Sequence, residues 1–299
     1  MIEKQVKDFD ALYRYYQTYC QDKTQFVVLS NEEFSIKLIE NKICLISYEN
    51  DKITGFLSGV VDELKGYITL TFGRVDVVKL LVKAFEQEMC KQQIQEIWIH
   101  FFNPVQLSWY PLPKVVHPGV QGVDRDSFLY PMYRELGYQN HSLQETYYLK
   151  LTEYKEHCIF YPNKSLSIDF YNSKIHKSLD PYTKKMKEKH WASVLLQNAE
   201  QVKPLPLLVA LEDRQIIGFA GPLKVQENGR GYFAGIGILE EYRGQKLGKY
   251  LFNNLCQSLK DMGARYMTLF TGQNNVAKHI YLNTGFVVVK RFMTMKKTI

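Results

Sequence analysis

Hydrophobic positions change period several times along the first half of the chain. Residues 12–20 carry an aromatic-rich helix pattern, and Asn31 with Glu33 opens a second that runs through Phe34, Leu38 and Ile39. A short polar side chain ahead of an apolar stripe satisfies the unpaired amides of a helix start. Strand spacing then takes over. Residues 42–48, 52–59 and 66–72 are short apolar or alternating runs divided by turn residues, which predicts an antiparallel meander. Residues 75–93 predict an amphipathic helix, 95–102 a buried strand, 104–122 a proline-rich loop, 130–136 a short helix and 144–151 a closing strand.

The second half repeats that order. Asp51-Lys-Ile-Thr-Gly55-Phe56 is echoed by Arg214-Gln-Ile-Ile-Gly218-Phe219, and Tyr133 with Gly137-Tyr138 is echoed by Tyr281 with Gly285-Phe286. Gly55 and Gly218 are 163 positions apart, and Tyr133 and Tyr281 are 148 apart. Offsets near half of the 299-residue length predict a duplicated domain with unequal loops. The expected division is 1–152 and 153–299, with the linker in 151–160.

Within the second copy, residues 235–250 read as strand, tight loop and helix. Ile236 and Ile238 alternate with Gly237, and Leu247, Leu251, Leu255 and Leu259 follow at the spacing of a buried helix face. The first turn of a helix has amides without intrahelical partners and a partial positive charge, so this junction suits an anion. Gly244 and Gly248 let backbone approach phosphate oxygens closely, and Arg243, Lys246 and Lys249 add cationic donors. No Gly-Lys-Ser/Thr follows, and the three glycines of a dinucleotide fingerprint are absent.

The run 242–248, Tyr-Arg-Gly-Gln-Lys-Leu-Gly, instead resembles the acetyl-CoA loop of the GNAT (GCN5-related) N-acetyltransferases, Arg/Gln-x-x-Gly-x-Gly/Ala. Arg243 and Gly248 fit it, and Lys246 stands where the first glycine is expected. Asn274, Ala277, Ile280, Tyr281, Gly285 and Phe286 match a second motif of that family in the right order. The resemblance implies two tandem domains, each a mostly antiparallel, twisted mixed α/β sheet flanked by helices. It implies that Ile236, Gly237 and Ile238 lie along the pantetheine arm of acetyl-CoA as cosubstrate. Arg243, Gly244, Gln245, Lys246, Leu247, Gly248 and Lys249 would hold its pyrophosphate, Asn274 would help hold the arm, and Tyr281 would be the general acid. The first copy has Arg74-Val-Asp-Val-Val-Lys where the second has Arg243-Gly-Gln-Lys-Leu-Gly. β-branched side chains and the Asp76 carboxylate predict a copy that holds no CoA, hence one CoA per chain.

Composition narrows the class. A 45% hydrophobic share with 23% charged residues is that of a globular protein, and the 38 Phe and Tyr residues predict generous cores. The net charge of +7 has its sharpest concentration in 174–190, at Lys184, Lys185, Lys187 and Lys189, which reads first as a solvated helix face. Cys20, Cys44, Cys90, Cys158 and Cys256 form no C-x-x-C pair, and no apolar run reaches membrane-spanning length or forms a secretory core, so the expectation is a cytoplasmic protein. His100, His117, His141, His157, His176, His190 and His279 are scattered without metal-ligand spacing, and no metal is expected.

The expected reaction is acetyl transfer to a primary amine of a small molecule or peptide. Glu240, Glu241, Glu227 and Asp169 are open alternatives for a base, and positioning of a free amine with water as proton carrier is another. No nucleic-acid or membrane partner is expected, and either a monomer or a homodimer fits. The rival readings are a Fem-type transferase that takes aminoacyl-tRNA and a CoA-binding sensor without turnover.

Overall fold

The computed structural model describes residues 1–23, 25–155, 165–176, 178–187 and 189–299; His157, Cys158 and the end of the expected linker lie outside them. The chain divides into two compact units. Unit 1 comprises 1–146, 270–274 and 288–299, and unit 2 comprises 147–269 and 275–287, so neither is one unbroken stretch of chain.

In unit 1, β1 (Ile2–Glu3), α1 (Phe9–Lys23) and α2 (Asn31–Phe34) precede the meander β2 (Ile43–Glu49), β3 (Lys52–Asp62) and β4 (Lys65–Gly73). Then follow α3 (Val75–Lys91) and β5 (Glu96–Ile99), and the terminal strand Val287–Thr298 pairs antiparallel with β5, Met295 opposite Ile99. The sheet order is β1, β2, β3, β4, β5, terminal strand. Ser30 begins α2 with a capping box: its hydroxyl accepts from the Glu33 amide, and the Glu33 side chain accepts from the Ser30 amide. Apolar runs such as Cys44-Leu45-Ile46 replace strict alternation because both faces of the sheet are covered. Leu45 and Leu57 join the core under α3, whereas Cys44, Ile46 and Phe56 join the aromatic core with Tyr16, Phe34 and Phe72.

The expected loop at 104–122 contains a small hairpin, β6 (Trp109–Leu112) and β7 (Val115–His117), whose proline at 111 hid the strand pattern. Next come β8 (Val123–Asp124), α4 (Leu129–Glu135) and β9 (Gln139–Lys150), the last five residues longer at its start than the pattern indicated.

Unit 2 repeats the plan. β10 (Leu166–Phe170), α5 (Asp180–Lys185), α6 (Lys189–Ala199), β11 (Leu208–Glu212), β12 (Gln215–Val225), β13 (Arg230–Ile238), α7 (Leu247–Asp261), β14 (Tyr266–Gly272) and α8 (Lys278–Asn283) follow in order. The sheet order is β14, β13, β12, β11, β10, antiparallel except for the parallel pair β13 and β14. Leu247, Leu251, Leu255 and Leu259 of α7 are all buried, as their spacing indicated. Tyr182 and Leu195, from α5 and α6, share a core with Val209, Ile216 and Phe219. Among the described residues Cys20, Cys44, Cys90 and Cys256 form no disulfide.

The duplication is visible in register. Gly55 lies opposite Gly73 at the end of β4, and Gly218 lies opposite Ile238 at the end of β13. Each pair precedes a helix that packs on its sheet.

Candidate functional site

In unit 2, β13 and β14 pair only at Arg230 with Tyr266 and Gly231 with Met267. Beyond Gly231 the paired strands part, and β13 runs on to Ile238 while held on its other edge by β12, with Ile236 opposite Ala220 and Gly237 opposite Phe219. The closed end of this wedge is pinned by Arg230, whose Nε donates to Thr268 Oγ1 at 2.7 Å and whose Nη2 donates to the Thr268 carbonyl at 2.6 Å. Burial lowers this guanidinium to about 10, yet it stays charged at neutral pH.

At the open end, residues 239–246 connect β13 to α7. A short turn, Glu240–Tyr242, starts the connection, and the Tyr242 hydroxyl donates to Glu212 Oε2 at 2.5 Å, which pushes the phenol up to about 12. Gly244 follows at φ 79°, then Lys246 at φ 64° as the residue that begins α7. Left-handed backbone is free for glycine and costs roughly 1–2 kcal/mol for a residue with a Cβ. Lys246 therefore adopts the conformation that the glycine of the family pattern would adopt without strain.

The amides of Gly244, Gln245 and Lys246 donate to no acceptor among the described residues. Those of Leu247, Gly248 and Lys249 are first-turn amides, which a helix leaves unpaired by construction. Arg243, Gln245 and Lys246 are exposed and Lys249 half-buried, whereas the Leu247 side chain points into the core and leaves only its amide to the loop. A Cβ at Gly248 would sit 3.5 Å from Ile238 Cδ1 and 3.5 Å from Ile280 Cδ1, which is ordinary contact. Ile238 and Ile280 therefore bring the strand end and α8 together under the loop.

Tyr281 follows Ile280 on α8. Its ring packs against Phe252 at 5.1 Å and Tyr147 at 5.6 Å between centroids, and its side chain is 9% exposed. The hydroxyl makes no hydrogen bond among the described residues, and burial raises its pKa above the ordinary phenol value. At neutral pH it carries a proton and has nothing committed to receiving it. Asn274 is exposed and belongs to the 270–274 stretch of unit 1; the side chain that caps the turn into α8 is that of Asn275, whose Oδ1 accepts from the Ala277 amide at 2.9 Å.

The carboxylates weighed as bases fall apart. Glu240 accepts from Lys187 Nζ at 2.5 Å, a hydrogen bond that lowers its pKa, and Glu241 lies 3.8 Å from Lys185 Nζ. Glu227 is exposed in the turn before β13, the end away from the loop. Asp169 is on the edge strand β10, 3.5 Å from His176 Nε2.

Two side chains, Tyr182 and Trp191, escaped the sequence pattern. The Tyr182 hydroxyl donates to the Gly237 carbonyl at 3.1 Å, and a Cβ at Gly235 would meet the Trp191 ring at 2.8 Å, so α5 and α6 close directly over β13. Lys185 and Lys187 reach the acidic turn of the loop rather than forming a purely solvated face. The signal was present as aromatics interleaved with the lysines of 174–190, but nothing in a single sequence pairs them with β13.

The Acetyltransferase (GNAT) family model matches residues 170–286, the stretch that contains this strand, loop and helix. Residues 170–286 are a GNAT domain. No curated protein matches the chain in sequence. Among solved structures, a GCN5-related glucosamine N-acetyltransferase region of a fungal multi-domain GH3 β-N-acetylglucosaminidase is similar at 15% identity with a TM-score of 0.66, covering 99% of this chain and 38% of that one. A GCN5-related N-acetyltransferase from Sphaerobacter thermophilus is similar at 12% identity and TM-score 0.64, covering 100% and 95%. A tandem GNAT protein from the clavulanic acid biosynthesis pathway is similar at 11% identity and TM-score 0.59, covering 100% and 98%. The fold of the chain is thus a tandem of GNAT-like units, with unit 1 a second GNAT-like fold ahead of the GNAT domain. Among the described residues no helix is long and apolar enough to cross a membrane.

Proposed function

We propose that the GNAT domain transfers an acetyl group from acetyl-CoA to a primary amine of a small molecule or peptide. The observation that carries this reading is the connection 239–246, where three amides without acceptors precede the first turn of α7 amid Arg243, Lys246 and Lys249. That donor set fits a pyrophosphate, whose oxygens accept only. The free edge of β13 at Ile236, Gly237 and Ile238 fits an amide-bearing arm, although Tyr182 already donates to the Gly237 carbonyl, so the arm is held through the remaining groups of that edge.

Acetyl-CoA, when bound, supplies the activated thioester carbonyl that an uncharged amine attacks. The chain's residues do the rest. β13 orients the arm, Tyr182 and Trp191 cover the strand against water, and Tyr281 holds at Oη the proton that a departing thiolate needs. Glu240 and Glu241 are tied to Lys187 and Lys185, which leaves positioning of a free amine as the account of nucleophile activation. Cysteines that form no disulfide among the described residues suit a reducing cytoplasm, where we place the protein. The test is release of CoA thiol by the purified protein across a panel of primary amines. Release that depends on an amine supports the transfer; saturable acetyl-CoA binding with no release from any amine would leave a CoA-binding protein without turnover.

A further inference from the structure

Unit 1 has its own parted strands. β4 and β5 pair in parallel only from Lys65 with Glu96 to Tyr67 with Trp98, and β4 then continues to Gly73 without β5. Between them, wholly within unit 1, lies a cavity of about 570 Å3, inside the range of small-molecule sites. Its walls are apolar and aromatic, with Phe26, Leu70, Trp109 and Phe292 among them.

Among the polar residues that share the lining, the charged ones are Asp124, Asp126 and Lys290. Lys290 Nζ binds Asp124 Oδ2 at 2.7 Å and stands 3.9 Å from Asp126 Oδ2. Two carboxylates against one ammonium leave a net charge of one negative, and Asp126, with its side chain 80% exposed, is the carboxylate farther from Lys290 and more open to a ligand. His100 also lines the cavity and is 92% buried. Its Nδ1 accepts from the Phe102 amide at 3.1 Å, so the neutral ring carries its hydrogen on Nε2, which makes no hydrogen bond among the described residues. Burial and the nearby His141 and Lys65 lower this imidazole to about 4, so it adds no positive charge at neutral pH.

This lining rejects CoA. The polyanion would meet a net negative charge, and the strand-to-helix junction of unit 1 offers it no loop, because the single residue Arg74 separates Gly73 from Val75 and its guanidinium is engaged by Asp76 at 2.8 Å. We propose that the cavity of unit 1 binds a small organic ammonium compound with an aromatic body, its charge at Asp126, its ring against Trp109 and Phe292, and an acceptor oxygen at His100 Nε2. The site is distinct from the acetyl-CoA loop and stands whether or not the GNAT domain proves to be an enzyme.

Tyramine has these three parts, and 4-ethylphenol and 3-(4-hydroxyphenyl)propanoate are its uncharged and charge-reversed counterparts. The experiment is calorimetric titration of the full chain with each, without acetyl-CoA, repeated on Asp126→Asn and His100→Phe proteins whose melting matches the parent. One saturating equivalent of tyramine, weaker binding of the phenol and none of the carboxylate are expected. Asp126→Asn should weaken tyramine about five- to tenfold and leave 4-ethylphenol unchanged, and His100→Phe should weaken both. Asp126 is a rim residue, so its variant tests the idea even if the buried histidine variant fails to fold. Tyramine affinity untouched by Asp126→Asn, equal or better binding of the carboxylate, or no saturable binding of tyramine would each overturn the proposal.

Discussion

The two strand-to-helix junctions of the chain start from the same register and end in different chemistry. In unit 1, β4 passes into α3 through one residue, Arg74, in extended conformation at φ −67°, and its guanidinium binds Asp76 in the first turn of the same helix. In unit 2, β13 passes into α7 through the eight residues 239–246 and enters the helix from Lys246 at φ 64°. The first junction places a carboxylate, Asp76, in the first turn of its helix, paired with Arg74; the second leaves amides without acceptors among the described residues, beside Arg243, Lys246 and Lys249. The two junctions thus differ in connection length and in local charge while the sheets beneath them keep the same plan.

The same contrast holds one helix further on. Tyr133 is 2% exposed, its hydroxyl lies 3.4 Å from Thr71 Oγ1, and burial raises its pKa. The Tyr281 hydroxyl makes no hydrogen bond among the described residues. The largest expected effect follows from this difference. Tyr281→Phe should lower turnover by roughly 10² to 10⁴ in a steady-state thiol assay with the fold retained, while Tyr133→Phe should leave turnover within error. Equal effects from the two substitutions would dissolve the distinction.

A smaller effect separates the helix entries. Lys246→Gly removes left-handed strain of about 1–2 kcal/mol against a glycine entropy cost of about 0.5–1, so unfolding in urea should show a net gain of about 0.5 to 1 kcal/mol. Arg74→Gly relieves no strain and should lose about 0.5 to 1 kcal/mol. A gain in both would mean that the φ difference is energetically idle.

The smallest concerns pH. Glu240 has a folded pKa lowered by its hydrogen bond from Lys187, so the pair's contribution is present above the ordinary carboxyl value near 4.5 and is lost as pH falls through the lowered one. The difference in melting temperature between the parent and Lys187→Met should therefore shrink as pH drops below about 4.5. A difference that stays constant down to pH 2 would show that the ion pair adds nothing.

Much of this was legible in residue order. The periodicity of Leu247 to Leu259 placed α7, and the motifs with Arg243, Gly248, Tyr281, Gly285 and Phe286 marked the stretch proposed as the site, because they are short and local in sequence. The repeat around Gly55 and Gly218 was legible for the same reason. Reading Arg74 against Arg243, however, matched residue type where the folded junctions match Arg74 with Lys246: a deleted connection leaves no residue to read. Tyr182 on Gly237 and Trp191 on Gly235 were hidden because they join helices to a strand more than forty residues away. The cavity of unit 1 was hidden likewise, since its wall combines β4, His100, Trp109 and Phe292 from distant parts of the sequence.

The central claim is that one junction of the two holds CoA. The direct measurement is calorimetric titration of the full chain with acetyl-CoA, repeated on Gly248→Trp, which fills the space between the loop, Ile238 and Ile280, and on Arg74→Ala. The account predicts one equivalent bound by the parent and by Arg74→Ala, and none by Gly248→Trp. Two equivalents in the parent, or undiminished binding by Gly248→Trp, would contradict it.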